Sequence, residues 1–202
     1  MKTFWDKNAF LYDRFMKKDA AAYERMYELI RPVVSGKTVL EAATGTGLIA
    51  KNIAGSAKTV EAVDASPEMI RAAKKASSSA KLHFSVQDIF SLPYADESFD
   101  VVIASNVLHI IPEPEKALRE LTRVLRDGGV LILPTFTHKK NSLRGKIRAF
   151  FMKLAGFPLH STWSEDEYVN FLEKNGLSIT KRELISASFP LTYTECRVNA
   201  DS

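Results

Sequence analysis

From residue 39 the chain reads Val-Leu-Glu-Ala-Ala-Thr-Gly-Thr-Gly-Leu-Ile-Ala. A short apolar run of the kind that makes a buried strand stops at a turn holding Gly45 and Gly47, and apolar residues at helical spacing begin at once. Strand, glycine turn and helix open a βαβ unit. Glycine in that turn removes the β-carbon, so a ligand can lie against bare main chain, and the amides of the new helix favour negative groups. In an open parallel sheet the ligand crevice lies outside the carboxyl ends of the strands, which is where this turn falls. The strand is expected over 38–42 and the helix from near Gly47 to near Gly55.

The rest of the chain repeats the alternation. A helix is expected over 8–31, where Ala22, Met26, Leu29 and Ile30 recur at helical spacing and Arg31-Pro32 closes the segment. Strands follow at 59–64, 81–86 and 99–105, the last nearly all apolar, as a strand covered on both faces should be. Ser66-Pro67 reads as an N-cap serine with proline in the first helical position, ahead of Met69, Ile70 and Ala73. Pro114 opens a helix with an inner stripe of Ala117, Leu118, Leu121, Val124 and Leu125, ended by Asp127-Gly128-Gly129, and a strand is expected at 130–136. There the alternation breaks. A basic stretch runs over 138–155. Ser164-Glu165-Asp166-Glu167 is a capping box before a helix that stops at Asn175-Gly176. Segments 177–186 and 189–198 read as closing strands, near enough in sequence to pair antiparallel.

Alternating strand–helix units predict an α/β fold, a doubly wound, seven-stranded, mostly parallel sheet with an antiparallel C-terminal hairpin. A single domain is expected over 1–202: an N-terminal helical cap (1–34), a ligand-binding core (35–136), a basic amphipathic insertion (137–163), and a final helix with closing strands (164–202). The one cysteine, Cys196, excludes an intrachain disulfide and a cysteine-cluster metal site. No histidine pair has metal-ligand spacing on a helix face, so no metal is expected. The first residues turn polar too soon for a signal peptide and no stretch of membrane-spanning length lacks charge, so a cytoplasmic protein is expected. A net charge of +4 permits an anionic partner without demanding one.

What the turn binds is open between two nucleoside ligands. Gly45, Gly47 and Ala50 fit the dinucleotide fingerprint, whose third position tolerates alanine. Asp64, at the end of the second strand, can accept both ribose hydroxyls of an adenosine group in NAD or in S-adenosylmethionine. Three features favour the second. Glu41 is a carboxylate just before the turn, unwelcome beside a pyrophosphate and suited to a cationic amino-acid group. Gln87-Asp88-Ile89 after the third strand offers an acceptor for an adenine amino group and an apolar cover for the ring. No second domain of normal size remains for a hydride acceptor.

With those residues in view, the chain resembles the class I S-adenosylmethionine-dependent methyltransferases, most of all the ubiquinone/menaquinone-biosynthesis-type and type 11 group. The resemblance covers roughly 35–135, in blocks at 39–47, 60–69, 86–92, 99–111 and 121–133. It implies a Rossmann-like fold, S-adenosyl-L-methionine as cofactor, a small-molecule methyl acceptor, and transfer in line with the bond from methyl to sulfur. It further implies that Glu41, Gly45 and Gly47 line the amino-acid end of the cofactor and Asp64 binds its ribose. Ala65 and Met69 would lie against the adenine, Asp88 and Ile89 would hold its amino edge and face, Asn106 would sit near the methionine part or the reacting methyl, and Tyr12 would fold over the cofactor. The family pattern has glycine where this chain has Ala43, and alanine there is strained if φ is positive. A nicotinamide-dependent oxidoreductase and a non-catalytic cofactor-binding protein are the competing readings.

Asn106-Val107-Leu108-His109-Ile110-Ile111 places His109 as a candidate general base or acceptor contact, and equally as a polar residue satisfied in a loop. His83 alternates with apolar strand residues and is expected to face out. In 139–154 six lysines and arginines occur with no acid, alongside Leu143, Ile147, Phe150, Phe151 and Leu154 at helical spacing. Such a segment can lie on an anionic membrane surface or cover an active site as a lid; the lid is favoured because the insertion follows the fifth strand. A lipid-like or anionic acceptor fits both. Nucleic acid is not indicated, since no recognised module is present. Nothing in the sequence fixes the oligomeric state.

Overall fold

The computed structural model describes residues 17–75, 77, 79–138 and 160–199. Tyr12, the start of the expected N-terminal helix and the basic stretch at 139–154 lie outside the described residues. The elements are α1 (Ala20–Val33), β1 (Thr38–Ala42), α2 (Leu48–Ile53), β2 (Thr59–Asp64), α3 (Pro67–Lys75), β3 (Leu82–Val86), β4 (Phe99–Ala104), α4 (Pro114–Val124), β5 (Leu125–Ile132), β6 (Thr135–Phe136), α5 (Glu165–Lys174), β7 (Leu177–Ile185) and β8 (Leu191–Val198).

The sheet runs β3-β2-β1-β4-β5-β8, with β7 on the far side of β8. The pairs among β1 to β5 are parallel, and β8 is antiparallel to both β5 and β7. The two residues of β6 continue the line of β5. Leu131 and Ile132 pair with Cys196 and Glu195, and Thr135 and Phe136 then pair with Thr192 and Leu191. The break falls at Pro134, which has no N–H to give to a ladder. In space this is the seven-stranded, doubly wound sheet with an antiparallel C-terminal pair that the pattern predicts.

The two faces are buried by alternate residues of each strand. Val39, Val60, Ala62, Val101, Ile103 and Tyr193 face α1, α2 and α3. Leu40, Ala42, Val63, Val102, Ala104 and Leu131 face α4 and α5. Burying both faces is why β1 and β4 are apolar nearly throughout. The helix expected to act as an N-terminal cap is a core layer instead: Tyr23, Met26, Leu29 and Ile30 of α1 are buried against the sheet.

Two boundaries differ from the sequence pattern. Helix α1 runs through Pro32 to Val33, because the next amide still reaches back, Val34 N–H to Ile30 O at 3.1 Å. Helix α4 ends at Val124, and the glycine pair expected to stop it lies inside β5. There Gly128 takes φ +67°, and the pairing of β4 with β5 jumps from Phe99–Leu125 to Val101–Val130. The glycines absorb a bulge rather than end a helix.

Chain order places the switch point at β1. β2 lies on one side of it and β4 on the other, so the carboxyl ends of β1, β2 and β4 open a crevice between them.

Candidate functional site

The turn after β1 bends through Ala43 (φ +55°), Gly45 (φ +57°) and Gly47 (φ +77°). Gly47 is fixed by space as well as by its angle, since a β-carbon there would stand 2.7 Å from the Phe84 ring. Ala43 takes the left-handed angle without glycine's freedom, at about 1–2 kcal/mol of strain.

Two carboxylates hold this turn. Glu41 Oε2 accepts from the Thr44 hydroxyl at 2.6 Å and from the Ala50 amide at 2.9 Å. The Ala50 amide is one of the donors left open in the first turn of α2, so Glu41 supplies the cap that Gly47, lacking a side chain, cannot. Burial pushes the Glu41 carboxyl up to about 8, against the opposing pull of those two hydrogen bonds. Asp64, half-buried at the end of β2, accepts from Gly45 N–H at 2.8 Å through Oδ2 and from Ser66 N–H at 2.9 Å through Oδ1. A carboxylate offers about four lone-pair positions, and Asp64 also lines the crevice. Ser66 Oγ in turn accepts from Met69 N–H at 3.2 Å, the cap expected at the start of α3.

The crevice is a cavity of about 190 Å³. Ala43 and Gly45 of the turn line it, with Asp64, Ala65 and Met69 from the end of β2, Asp88 and Ile89 from the end of β3, and Asn106 from the end of β4. These were all expected at a cofactor site. Glu41 and Gly47 are not among its lining residues; they act behind the wall, on the shape of the turn. Asp88 also caps its own loop, with Oδ1 accepting from Phe90 N–H at 3.0 Å.

His109 is placed differently from the expectation of a base at the ligand. It is 6% exposed, its Nδ1 lies 2.9 Å from the Thr135 hydroxyl, and it is not among the cavity-lining residues. Burial, with nearby His138 adding, pushes its imidazole down to about 4, so it is neutral near pH 7. Its carbonyl accepts from the amides of His160 and Ser161, both at 3.0 Å. His83 is exposed on β3, as expected.

The wall that sequence reasoning missed is Val107, Ile110 and Ile111, joined by Gln87, Phe90 and Ser105. Residues 107, 110 and 111 flank a turn closed by Ile110 N–H to Val107 O at 2.9 Å and line the cavity, while Leu108 and His109 are buried and do not line it. Among the described residues, no group of three or more histidine, cysteine or acidic side chains could hold a metal, and no helix is long and apolar enough to cross a membrane.

Residues 40–133 match the family model of the methyltransferase domain, which spans the turn, the crevice and strands β1 to β5. Over that span the chain is similar to the methyltransferase domains of the type 11 group. The match supports S-adenosylmethionine as the cofactor over the nicotinamide alternative. The residues present fit a cationic cofactor: the only charged side chains among the described lining residues are the acids Asp64 and Asp88.

A demethylmenaquinone methyltransferase of Renibacterium salmoninarum is 38% identical over 105 residues, 52% of this chain and 44% of that protein. The chain thus spans about half the length of the curated relatives it matches. Among solved structures, the methyltransferase in a complex with the Haloferax volcanii Trm112 methyltransferase activator superposes with a TM-score of 0.80 at 19% identity, over 98% of this chain and 99% of that one. The magnesium protoporphyrin IX methyltransferase of Synechocystis superposes at 0.69 and 21% identity, over 92% of this chain and 87% of that one. At these identities the superpositions speak for the fold, and they carry it well beyond residues 40–133.

Proposed function

We propose that the chain transfers the methyl group of S-adenosylmethionine to a small acceptor with an apolar, quinone- or lipid-like body. The observation that carries this reading is Asp64. It is a carboxylate at the end of β2, bonded to the glycine turn on one side and to the start of α3 on the other, and it lines the cavity. In the proposed assignment Asp64 holds the ribose hydroxyls, Gly45 and Ala43 lie along the amino-acid end, Ala65, Met69 and Ile89 flank the adenine, and Asp88 accepts from its amino group. Glu41 and Gly47 keep the turn in the shape that this requires.

Bound, the cofactor supplies a methyl group already activated by a sulfonium. The chain's own task is to align a nucleophile with it and to keep water out. Val107, Ile110 and Ile111 form an apolar wall suited to the acceptor's body, and the name of the demethylmenaquinone methyltransferase relative supports the same acceptor class. Neutral His109, bonded to Thr135, is assigned no proton transfer; an acidic enol or phenol acceptor brings its own anion. The basic segment 139–154 follows this wall in sequence and is proposed to contact the acceptor or an anionic lipid surface.

Calorimetric titration with S-adenosylhomocysteine and with NADH tests the cofactor half. Heat and a raised melting temperature are expected with the first alone. Transfer of a labelled methyl group to a demethylated naphthoquinol tests the other half; tight S-adenosylhomocysteine binding with no transfer to any quinol or lipid would remove the acceptor class and leave the cofactor site standing.

A further inference from the structure

Asn106 stands in the cavity wall at the carboxyl end of β4, with φ +55°. Its amide N–H donates to Pro134 O at 2.8 Å and its Oδ1 accepts from Phe136 N–H at 3.1 Å. Both partners belong to the point where the β5 line is interrupted. On the other side, Nδ2 donates to the Tyr23 hydroxyl at 3.2 Å and to Ser105 Oγ at 3.3 Å. The orientation of the amide is forced. A main-chain N–H can only donate, so Oδ1 must face Phe136, and Nδ2 must then face Tyr23.

Tyr23 is 6% exposed on α1 and edge-on to Tyr27, with ring centroids 6.1 Å apart. It is not among the residues lining the cavity. Its hydroxyl nonetheless holds one end of a planar amide whose other end holds Phe136. With the Tyr23 hydroxyl removed, Nδ2 keeps the bond to Ser105 and Oδ1 the bond to Phe136, but the amide is held less firmly about its terminal torsion.

We propose that Tyr23 is a positioning residue: through Asn106 it fixes the strand-end wall at 105–107 before the cofactor arrives. This rests on the reading of the cavity as the S-adenosylmethionine site. A wall already in place avoids ordering on binding, and that advantage is read as affinity. It also gives α1 a part in the site, although no residue of α1 lines it.

The test is titration calorimetry with S-adenosylhomocysteine on wild type, Tyr23→Phe, Asn106→Gly and the double variant, with the unliganded melting temperature of each. Glycine is chosen at 106 because it takes φ +55° freely, so the loss reports the side chain alone. Tyr23→Phe, which removes one hydrogen bond, is expected to weaken binding about fivefold, and Asn106→Gly, which removes three, by about tenfold or more. The double variant should match Asn106→Gly within about twofold, because the proposed effect of Tyr23 on the site passes through Asn106. If Tyr23→Phe lowers the melting temperature but leaves affinity unchanged, the role is structural and the proposal is overturned. A double variant weaker than Asn106→Gly by the full Tyr23 effect overturns it too. A wild-type chain without affinity for S-adenosylhomocysteine instead overturns the reading of the cavity, and this inference with it.

Discussion

The cavity has two walls that bend in the same way and are held in different ways. On the β1–β2 side the chain turns at Ala43, and on the β4 side at Asn106, both at φ +55°. Asparagine tolerates this left-handed angle, and here its side chain is anchored by Phe136 and Tyr23. Alanine has no such means, and its strain is carried by the neighbours: Thr44 N–H donates to Val63 O at 2.9 Å, Glu41 accepts from the Thr44 hydroxyl, and Asp64 accepts from the Gly45 amide. The first wall is thus organised by acidic side chains and the second by an amide network against apolar side chains. That division matches the proposed ligands, a cationic nucleoside on one side and an apolar acceptor on the other.

The sharpest way to break this comparison is to remove the carboxylate that faces the ligand. Asp64→Ala deletes two proposed charge-assisted hydrogen bonds to ribose and frees the Gly45 amide that shapes the turn. At about 1.5–3 kcal/mol for each bond to a charged group, S-adenosylhomocysteine affinity should fall by about a hundredfold or more by calorimetry. A change under about tenfold would mean that the acid merely caps the turn and the nucleoside is held elsewhere.

Each wall also buries one titratable group, and the two have opposite signs. Glu41 titrates at about 8 in the fold against an ordinary 4.5. Folding therefore favours its protonated form, and its contribution is complete below 4.5 and is lost as pH rises to about 8. His109 titrates at about 4 against an ordinary 6.5, so its contribution is present above 6.5 and is lost as pH falls toward 4. Urea unfolding across this range should show Glu41→Gln gaining on the wild type as pH rises from neutral toward 8, by at most about 1.4 kcal/mol per pH unit. His109→Asn should gain on it as pH falls below 6.5. Differences flat with pH would show that neither group is as dry as its surroundings imply.

How far the sequence could be read follows the same divide. Glycines, a proline after a cap serine, and acids at strand ends are local signals, so the strands at 38–42 and 59–64, the α3 start and the β2 acid were all legible. The capping box at Ser164 is equally local, with Ser164 Oγ accepting from Glu167 N–H at 3.4 Å and the Glu167 carboxylate accepting from Ser164 N–H at 2.7 Å. The second wall depends on contacts across long stretches of chain: Asn106 with Tyr23, and His109 with Thr135. No spacing rule carries those. His109 drew attention because it titrates, while Ile110 and Ile111 beside it, which line the cavity, carried no signal of their own. Glu41 was legible as an acid near the turn, but its direction was not, because only the folded turn brings the Ala50 amide back over β1.

The smallest expected effect separates strain from obstruction at Ala43. Ala43→Gly relieves about 1–2 kcal/mol of left-handed strain and gives back part of that gain through the freer unfolded chain, for a net stabilisation of about 1 kcal/mol in urea unfolding. The strain is the same with or without ligand, so it cancels in binding; only contact between the Ala43 methyl and the cofactor survives in the affinity. If that methyl merely lies along the ligand, S-adenosylhomocysteine affinity should stay within about threefold. A much tighter complex would show that the methyl pushes the cofactor outward. The β1 wall would then be displaced from the shape that its carboxylates hold, and the contrast with the hydrogen-bonded Asn106 wall would be one of fit as well as of chemistry.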